Sequence, residues 1–163
     1  MGFTLAILTI SDAGSKGERD DTSGDTISRI MSFEGFEVVS RNIVPDEKDD
    51  ISAKIIELCD SGDVDLVLTT GGTGLSPRDV TPEATRTVIE YEVPGIPEAM
   101  RAQTLNKTPM SMLSRAVAGL RSGCLVVNLP GSPSGVRQTL EVVIPAIPHA
   151  IEIAKGRRVH PTQ

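Results

Sequence analysis

The chain has 163 residues, a formal charge of −6, and 39% hydrophobic against 23% charged residues, which suits one domain with a substantial core. Its aromatics are Phe3, Phe33, Phe36 and Tyr91 alone, so the core is aliphatic and base-stacking platforms are missing. With no basic stretch longer than Arg157-Arg158 and no apolar run near the ~20 residues of a membrane span, neither nucleic acid nor a membrane is an expected partner. The N-terminus enters a strand-like run without a basic leader, so a cytoplasmic protein is expected. Cys59 and Cys124 lack CxxC spacing and read as buried free thiols.

In chain order, Phe3 to Ile10 is an apolar, β-favouring run ending in Ser11-Asp12, which predicts an interior parallel strand. Ala13 to Asp21 reads as a loop. Asp21, Thr22 and Ser23 offer caps for a helix with Ile27, Ile30 and Met31 on one face, and Gly35 ends it. Glu37 to Val44 predicts a second strand closed by Pro45-Asp46, and Ile51, Ile55, Leu58 and Cys59 mark an amphipathic helix. Val64 to Leu68 is too short for a helix and is bracketed by glycines, so it reads as a buried strand. A glycine loop follows. Thr81 then offers an N-cap hydroxyl, Pro82 suits the first helical position, and Glu83 complements the helix dipole.

Beyond Val93-Pro94-Gly95-Ile96-Pro97 a short helix runs through Met100 to Leu105. Met112 to Ala118 and Cys124 to Leu129 read as a hairpin or adjacent strands flanking Gly119 to Gly123. Asn128 to Pro133 forms another strand-end loop before Val136, Leu140 and Val143 at helical spacing. A last helix carries Ile147, Ile151 and Ala154 and stops at Gly156, leaving residues 157–163 as a mobile tail after a single domain over 1–156. The pattern predicts a three-layer α/β/α sandwich around a mostly parallel sheet with one antiparallel pair.

In such a sheet the strand carboxyl ends share one edge, where ligands collect. That edge gathers Ser11-Asp12, Pro45-Asp46, Gly71 to Asp79 and Asn128 to Pro133. Gly71, Gly72 and Gly74 match neither GxGxxG nor GxxxxGK[ST]. Strand, glycine loop and helix nonetheless aim backbone N–H groups at an anion; the plainer alternative is a tight turn that needs glycine for positive φ. Asp12, Asp46 and Asp79 are ionised at neutral pH if unperturbed. Acids beside a phosphate call for a cation, and oxygen ligands suit Mg²⁺. Without clustered His, Cys or Lys, zinc, imidazole and Schiff-base chemistry lack candidates, which leaves metal-assisted phosphoryl or nucleotidyl transfer. As plain structure, Asp46 and Asp79 are helix-cap candidates, Ser114-Arg115 is a strand-end candidate, and His149 and His160 are structural or solvent-facing.

The ordered set SD at 11–12, DTSG at 21–24, VPDE at 44–47, TTGGTG at 69–74, RDVTPEAT at 78–85, VPG with PEAMR at 93–101, LSRAVAG at 113–119 and NLPGSP at 128–133 resembles the molybdopterin adenylyltransferase family of molybdenum cofactor biosynthesis. The likeness covers essentially the whole chain. It implies a transferase that uses ATP and Mg²⁺ to place AMP on the terminal phosphate of molybdopterin, releasing pyrophosphate. By motif, Asp46 and Asp79 match the family's two important acids, as catalytic residues and Mg²⁺ ligands. Gly71, Gly72, Thr73 and Gly74 match the nucleotide or phosphate loop. Ser11, Asp12, Ser114, Arg115, Pro130, Gly131 and Ser132 match segments lining the ligand pocket. The resemblance also implies a homotrimer and hand-over of product to a molybdenum insertase. The alternative is a noncatalytic pterin-binding or trimeric scaffold module, for which loss of either acid would be the marker; both are present.

Overall fold

In the computed structural model residues 2–156 are described; Met1 and residues 157–163, with the expected tail, Arg157, Arg158 and His160, lie outside the described residues. Strands β1 (Thr4–Ile10), β2 (Glu37–Val44), β3 (Leu66–Thr70), β4 (Tyr91–Glu92), β5 (Ala118–Arg121) and β6 (Cys124–Leu129) form one sheet in the order β2-β1-β3-β6-β5-β4. β2, β1, β3 and β6 are mutually parallel, β5 and β6 form the expected antiparallel hairpin, and two-residue β4 extends it at the edge. The register is level at the carboxyl ends, with Ile10 opposite Val44, Thr9 opposite Thr70, and Thr70 opposite Leu129. Four strand ends therefore open on one edge.

Alternation along the strands feeds two cores. Leu5, Ile7, Leu66, Leu68, Leu125 and Val127 face one side, against α2 (Thr22–Phe33), α5 (Gly95–Thr104), α6 (Pro133–Val143) and α7 (Ile147–Ala154). Ala6, Leu8, Ile10, Val67 and Val126 face the other, against α3 (Lys48–Asp60) and α4 (Thr81–Val88). All four apolar positions expected of the helix after β2, Ile51, Ile55, Leu58 and Cys59, are buried. The architecture is the predicted three-layer sandwich. Both cysteines are free and buried, and the Cys124 thiol is pushed up by the neighbouring Cys59 and by burial, which makes it unreactive. His149 is exposed.

Local corrections have identifiable causes. The expected loop after β1 begins with a helical turn, α1 (Asp12–Ser15), because the Ser11 side chain caps it by accepting from Gly14 N at 3.0 Å. β3 starts two residues later than the apolar run and ends in Thr69-Thr70. Pro109 to Leu113 is a 3₁₀ turn rather than the start of a strand, because Thr108 caps it and Pro109 occupies its first positions. The first hairpin strand is instead the stretch expected as the connection, and Ser122 (φ 50°) with Gly123 (φ 75°) makes the two-residue turn. Thr81 does not cap α4; its hydroxyl donates to Gly71 O at 2.9 Å, and the cap position is Val80 without a side-chain bond.

The opposite edge is fastened by Asp65. Thr4 N donates to its carboxylate at 2.9 Å, Asp65 N donates to Thr4 Oγ1 at 3.0 Å, and Lys155 pairs with it from the end of α7. Burial pushes the Asp65 carboxyl upward, but Lys155 and Thr4 outweigh burial and leave it below its ordinary value. A depressed carboxyl adds stability that is full above the unfolded pKa of about 3.9 and is lost as pH falls through the folded value. Asp65→Asn is therefore expected to lower unfolding stability by about 1–3 kcal/mol at pH 7 and to make the loss of stability below about pH 4 shallower. Urea unfolding from pH 2.5 to 7 checks both.

Candidate functional site

The chain runs from β1 to β2 on one side and returns to β3 on the other, so the topological switch point lies between β1 and β3. Their carboxyl ends approach closely. A Cβ at Gly71 (φ 100°) would overlap Ile10 O, and one at Gly72 (φ 66°) would overlap Thr81 Oγ1 and lie 3.5 Å from Asp46 Oδ1. The glycines thus do more than supply positive φ: no side chain fits between the loop and its neighbours. Gly71 N donates to Leu129 O at 3.3 Å and Thr70 Oγ1 to Pro130 O at 2.6 Å. Behind them fully buried Asn128 donates to Thr69 Oγ1 and Thr85 Oγ1, each at 3.0 Å, and accepts from Val117 N at 3.1 Å. The network holds β3, β6 and α4 in fixed relation.

Two cavities flank the Pro130-Gly131-Ser132 loop. One, of about 760 Å³, has walls from Ser11, Asp21, Ser23, Asp46, Gly71 and Gly131, with Arg19 at its rim. The other, of about 400 Å³, is lined by Thr73, Gly74, Ser114 and Pro130 together with the apolar Met100 and Leu113. Ser132 borders both. It caps α6 by accepting from Gly135 N at 3.0 Å, so the positive end of an 11-residue helix lies at the shared wall. Both volumes fit small-molecule sites.

The acids differ in state. Asp12 N donates to Asp46 Oδ2 at 2.8 Å, and Asp46 N donates to Asp12 Oδ1 at 3.0 Å, tying the ends of β1 and β2 reciprocally. Arg78 Nε and Nη2 donate to Asp12 Oδ2 and Oδ1 at 3.1 and 2.9 Å, and Nη2 lies 2.8 Å from Glu47 Oε1. Arg78 and the Asp46 amide accordingly hold the Asp12 carboxyl below its ordinary value. Burial and then the Asp12 charge push the Asp46 carboxyl up, with a smaller contribution from Asp79. Asp79 Oδ2 accepts from Ser76 N at 2.9 Å.

Among the described residues Oδ1 of Asp46 and Oδ1 of Asp79 meet no protein donor, and no group of three His, Cys, Asp or Glu side chains could hold a metal. A cation held through these two oxygens would have to complete its shell with phosphate or water oxygens. Asp12 is already occupied by Arg78.

The remaining candidates divide. Asp12, Gly72, Asp79 and Arg115 stand outside both cavity walls. Arg115 clasps the glycine loop: its N donates to Thr73 O at 2.9 Å, and Nε and Nη2 donate to Gly74 O and Asp79 O at 2.7 Å each, while Nη1 pairs with Glu83. Ser23, read as a cap, lies inside α2, whose cap is Asp21; its hydroxyl donates to Gly131 O at 2.6 Å. Sequence reasoning missed Arg19, Arg78 and the wall formed by Pro109 to Leu113. Thr108-Pro109 was the signal for that turn, whereas Arg78 and Arg19 sit in loops without periodicity.

Fold and site define a class: a three-layer α/β domain with two adjoining cavities at the carboxyl ends of its parallel strands. The chain belongs to the family described as "Probable molybdopterin binding domain", whose model matches residues 6–149. It is 42% identical over 154 residues to the molybdopterin adenylyltransferase of Helicobacter pylori strain J99, covering 93% of this chain and 88% of that protein. Identity to the Escherichia coli K12 molybdopterin adenylyltransferase is 36% over 167 residues, covering 93% and 85%. The structure of the molybdopterin biosynthesis enzyme MoaB from Thermus thermophilus is similar at a TM-score of 0.89 and 49% identity, covering 94% of this chain and 97% of that one.

Close approach at the glycine loop is separable from backbone strain. Gly17 (φ 72°) has nothing within 4 Å of an added Cβ, whereas Gly72 (φ 66°) meets Thr81. Gly17→Ala is expected to cost about 1–2 kcal/mol and Gly72→Ala at least about 2 kcal/mol more, by overpacking. Denaturant unfolding of the two variants checks the difference; equal losses would contradict the packing explanation.

Proposed function

We propose that this protein is a molybdopterin adenylyltransferase that joins AMP from ATP to the terminal phosphate of molybdopterin. An oxygen of that phosphate forms a bond to the α-phosphorus of ATP as the bond from the α-phosphorus to the bridging α,β oxygen breaks, and pyrophosphate departs. No covalent enzyme intermediate is required, consistent with buried cysteines and an exposed His149. The observation that carries the reading is the pair of cavities meeting at Ser132, which suits two substrates reacting at a shared wall.

Asp46 and Asp79 are the residues that would hold Mg²⁺ through their unpartnered oxygens. When bound, Mg²⁺ supplies neutralisation of phosphate charge. The chain's own contribution is positioning: Gly71 to Gly74 bring backbone amides to the strand ends, the α6 N-terminus offers partial positive charge, and Ser11, Ser114, Pro130 and Gly131 shape the walls. A loop held this tightly spends no free energy on reorganisation during reaction. By the same reading residues 1–156 act as one molybdopterin-binding domain of a cytoplasmic homotrimer that passes its product to an insertase. No helix among the described residues is long and apolar enough to cross a membrane.

Asp46→Asn and Asp79→Asn are each expected to lower the rate of AMP transfer by about 100-fold while pterin binding and cooperative unfolding persist. Pyrophosphate release with freshly prepared molybdopterin, ATP and Mg²⁺ measures this. Tight molybdopterin binding without turnover in the unaltered protein would sink the enzyme reading in favour of a pterin-binding scaffold.

A further inference from the structure

Arg78 sits in the loop between β3 and α4, and its side chain is about half exposed, 52%. A surface arginine with one carboxylate partner would attract no notice, since such pairs contribute little. This one reaches across three loops. Its fork holds both oxygens of Asp12 at the end of β1, its Nη2 also meets Glu47 in the loop after β2, and its own backbone belongs to the glycine loop. Asp12 in turn exchanges two hydrogen bonds with Asp46, and Asp46 borders the larger cavity. A continuous chain of contacts therefore links Arg78 to a carboxylate in a cavity that Arg78 does not line.

Arg78 forms ion pairs with Asp12 and Glu47 of the acidic group that also includes Asp46 and Asp79, while Lys16 acts on Asp12 without a contact. Without Arg78, Asp12 and Asp46 would remain tied through their backbone amides while their charges repel. The least costly relief is rotation of one carboxylate away from the other, and Asp12 can rotate only by releasing the Asp46 amide. Arg78 thus fixes the Asp12 carboxylate on the Asp46 amide and, through the backbone the two residues share, the Asp12 amide that holds the Asp46 carboxylate. The bidentate geometry matters: lysine presents one charge and cannot grip both oxygens of Asp12.

We propose that Arg78 is a positioning residue that acts through Asp12 to orient the Asp46 carboxylate for metal–nucleotide binding, without touching either substrate. This rests on the adenylyltransferase reading for the ligand, but its test does not depend on turnover.

Binding of Mg²⁺ with a non-hydrolysable ATP analogue is measured by calorimetry for the unaltered protein, Arg78→Ala, Arg78→Lys, Asp12→Asn and the Asp12→Asn/Arg78→Ala double variant, beside thermal unfolding and, in parallel, AMP transfer. Arg78→Ala is expected to weaken metal-dependent analogue binding by about 10- to 100-fold, with a melting temperature near that of the unaltered protein. Arg78→Lys should recover part of the loss, and the double variant should lose no more than the worse single one, because both interrupt one chain of contacts. Unchanged binding in Arg78→Ala, additive losses in the double variant, or a loss that tracks unfolding would each overturn the proposal. If the unaltered protein binds the analogue but transfers no AMP, the transferase reading fails alone and the binding series still decides the role of Arg78. If it binds no analogue with or without the metal, both fall.

Discussion

Concentrated negative charge at the strand ends is the constraint on which the site depends. Asp12, Asp46, Glu47 and Asp79 come together from three loops, and the Arg78 guanidinium pairs with two of them, Asp12 and Glu47. Two like charges about 4 Å apart repel by roughly 4 kcal/mol at an effective dielectric of 20, so this geometry persists only because each acid is handled differently. Asp12 is neutralised by a two-pronged arginine contact. Asp46 is half-buried, its carboxyl raised by loss of water and by its neighbours. Asp79 is drawn back by the Ser76 amide. What remains is a site with unpartnered carboxylate oxygens on Asp46 and Asp79 and an excess of negative charge.

The rest of the fold serves that edge. Parallel pairing of β2, β1, β3 and β6 levels the strand ends, and the close approach of Gly71 to Ile10 closes the switch point. Arg115 fastens the glycine loop through three carbonyl oxygens of that loop, fixing the backbone that carries Asp79. At the far edge Asp65 and the Arg121–Asp60 pair, 3.0 and 2.7 Å, tie strands and hairpin, away from the two cavities at the strand carboxyl ends. These ties and the two cavities thus lie at opposite ends of one sheet.

Much of this was legible in the residues themselves. Strands buried on both faces announce themselves as continuous apolar runs, and Ile51, Ile55, Leu58 and Cys59 point one way at helical spacing, so the three-layer fold follows from pattern. Topology then brings Ser11, Asp46, Gly71 and Ser132 to one edge without any knowledge of contacts. Illegible features depended on side-chain direction. Thr81 looks like a cap but gives its hydroxyl to Gly71 O, which the loop brings within 2.9 Å. Met112 to Ala118 is apolar enough for a strand, yet Thr108 and Pro109 start a turn there. Arg78 and Arg115 occupy equivalent-looking positions beside motif residues; only coordinates separate an arginine that holds an acid from one that holds a loop.

The most direct test of adenylyl transfer follows the phosphorus atoms. With molybdopterin, Mg²⁺ and ATP labelled at the α-phosphorus, the expected result is label in the pterin product together with one unlabelled pyrophosphate released per label transferred. Label retained only in free nucleotide, or transfer of label only when the γ-phosphorus carries it, would contradict attack at the α-phosphorus and with it the function proposed for this site.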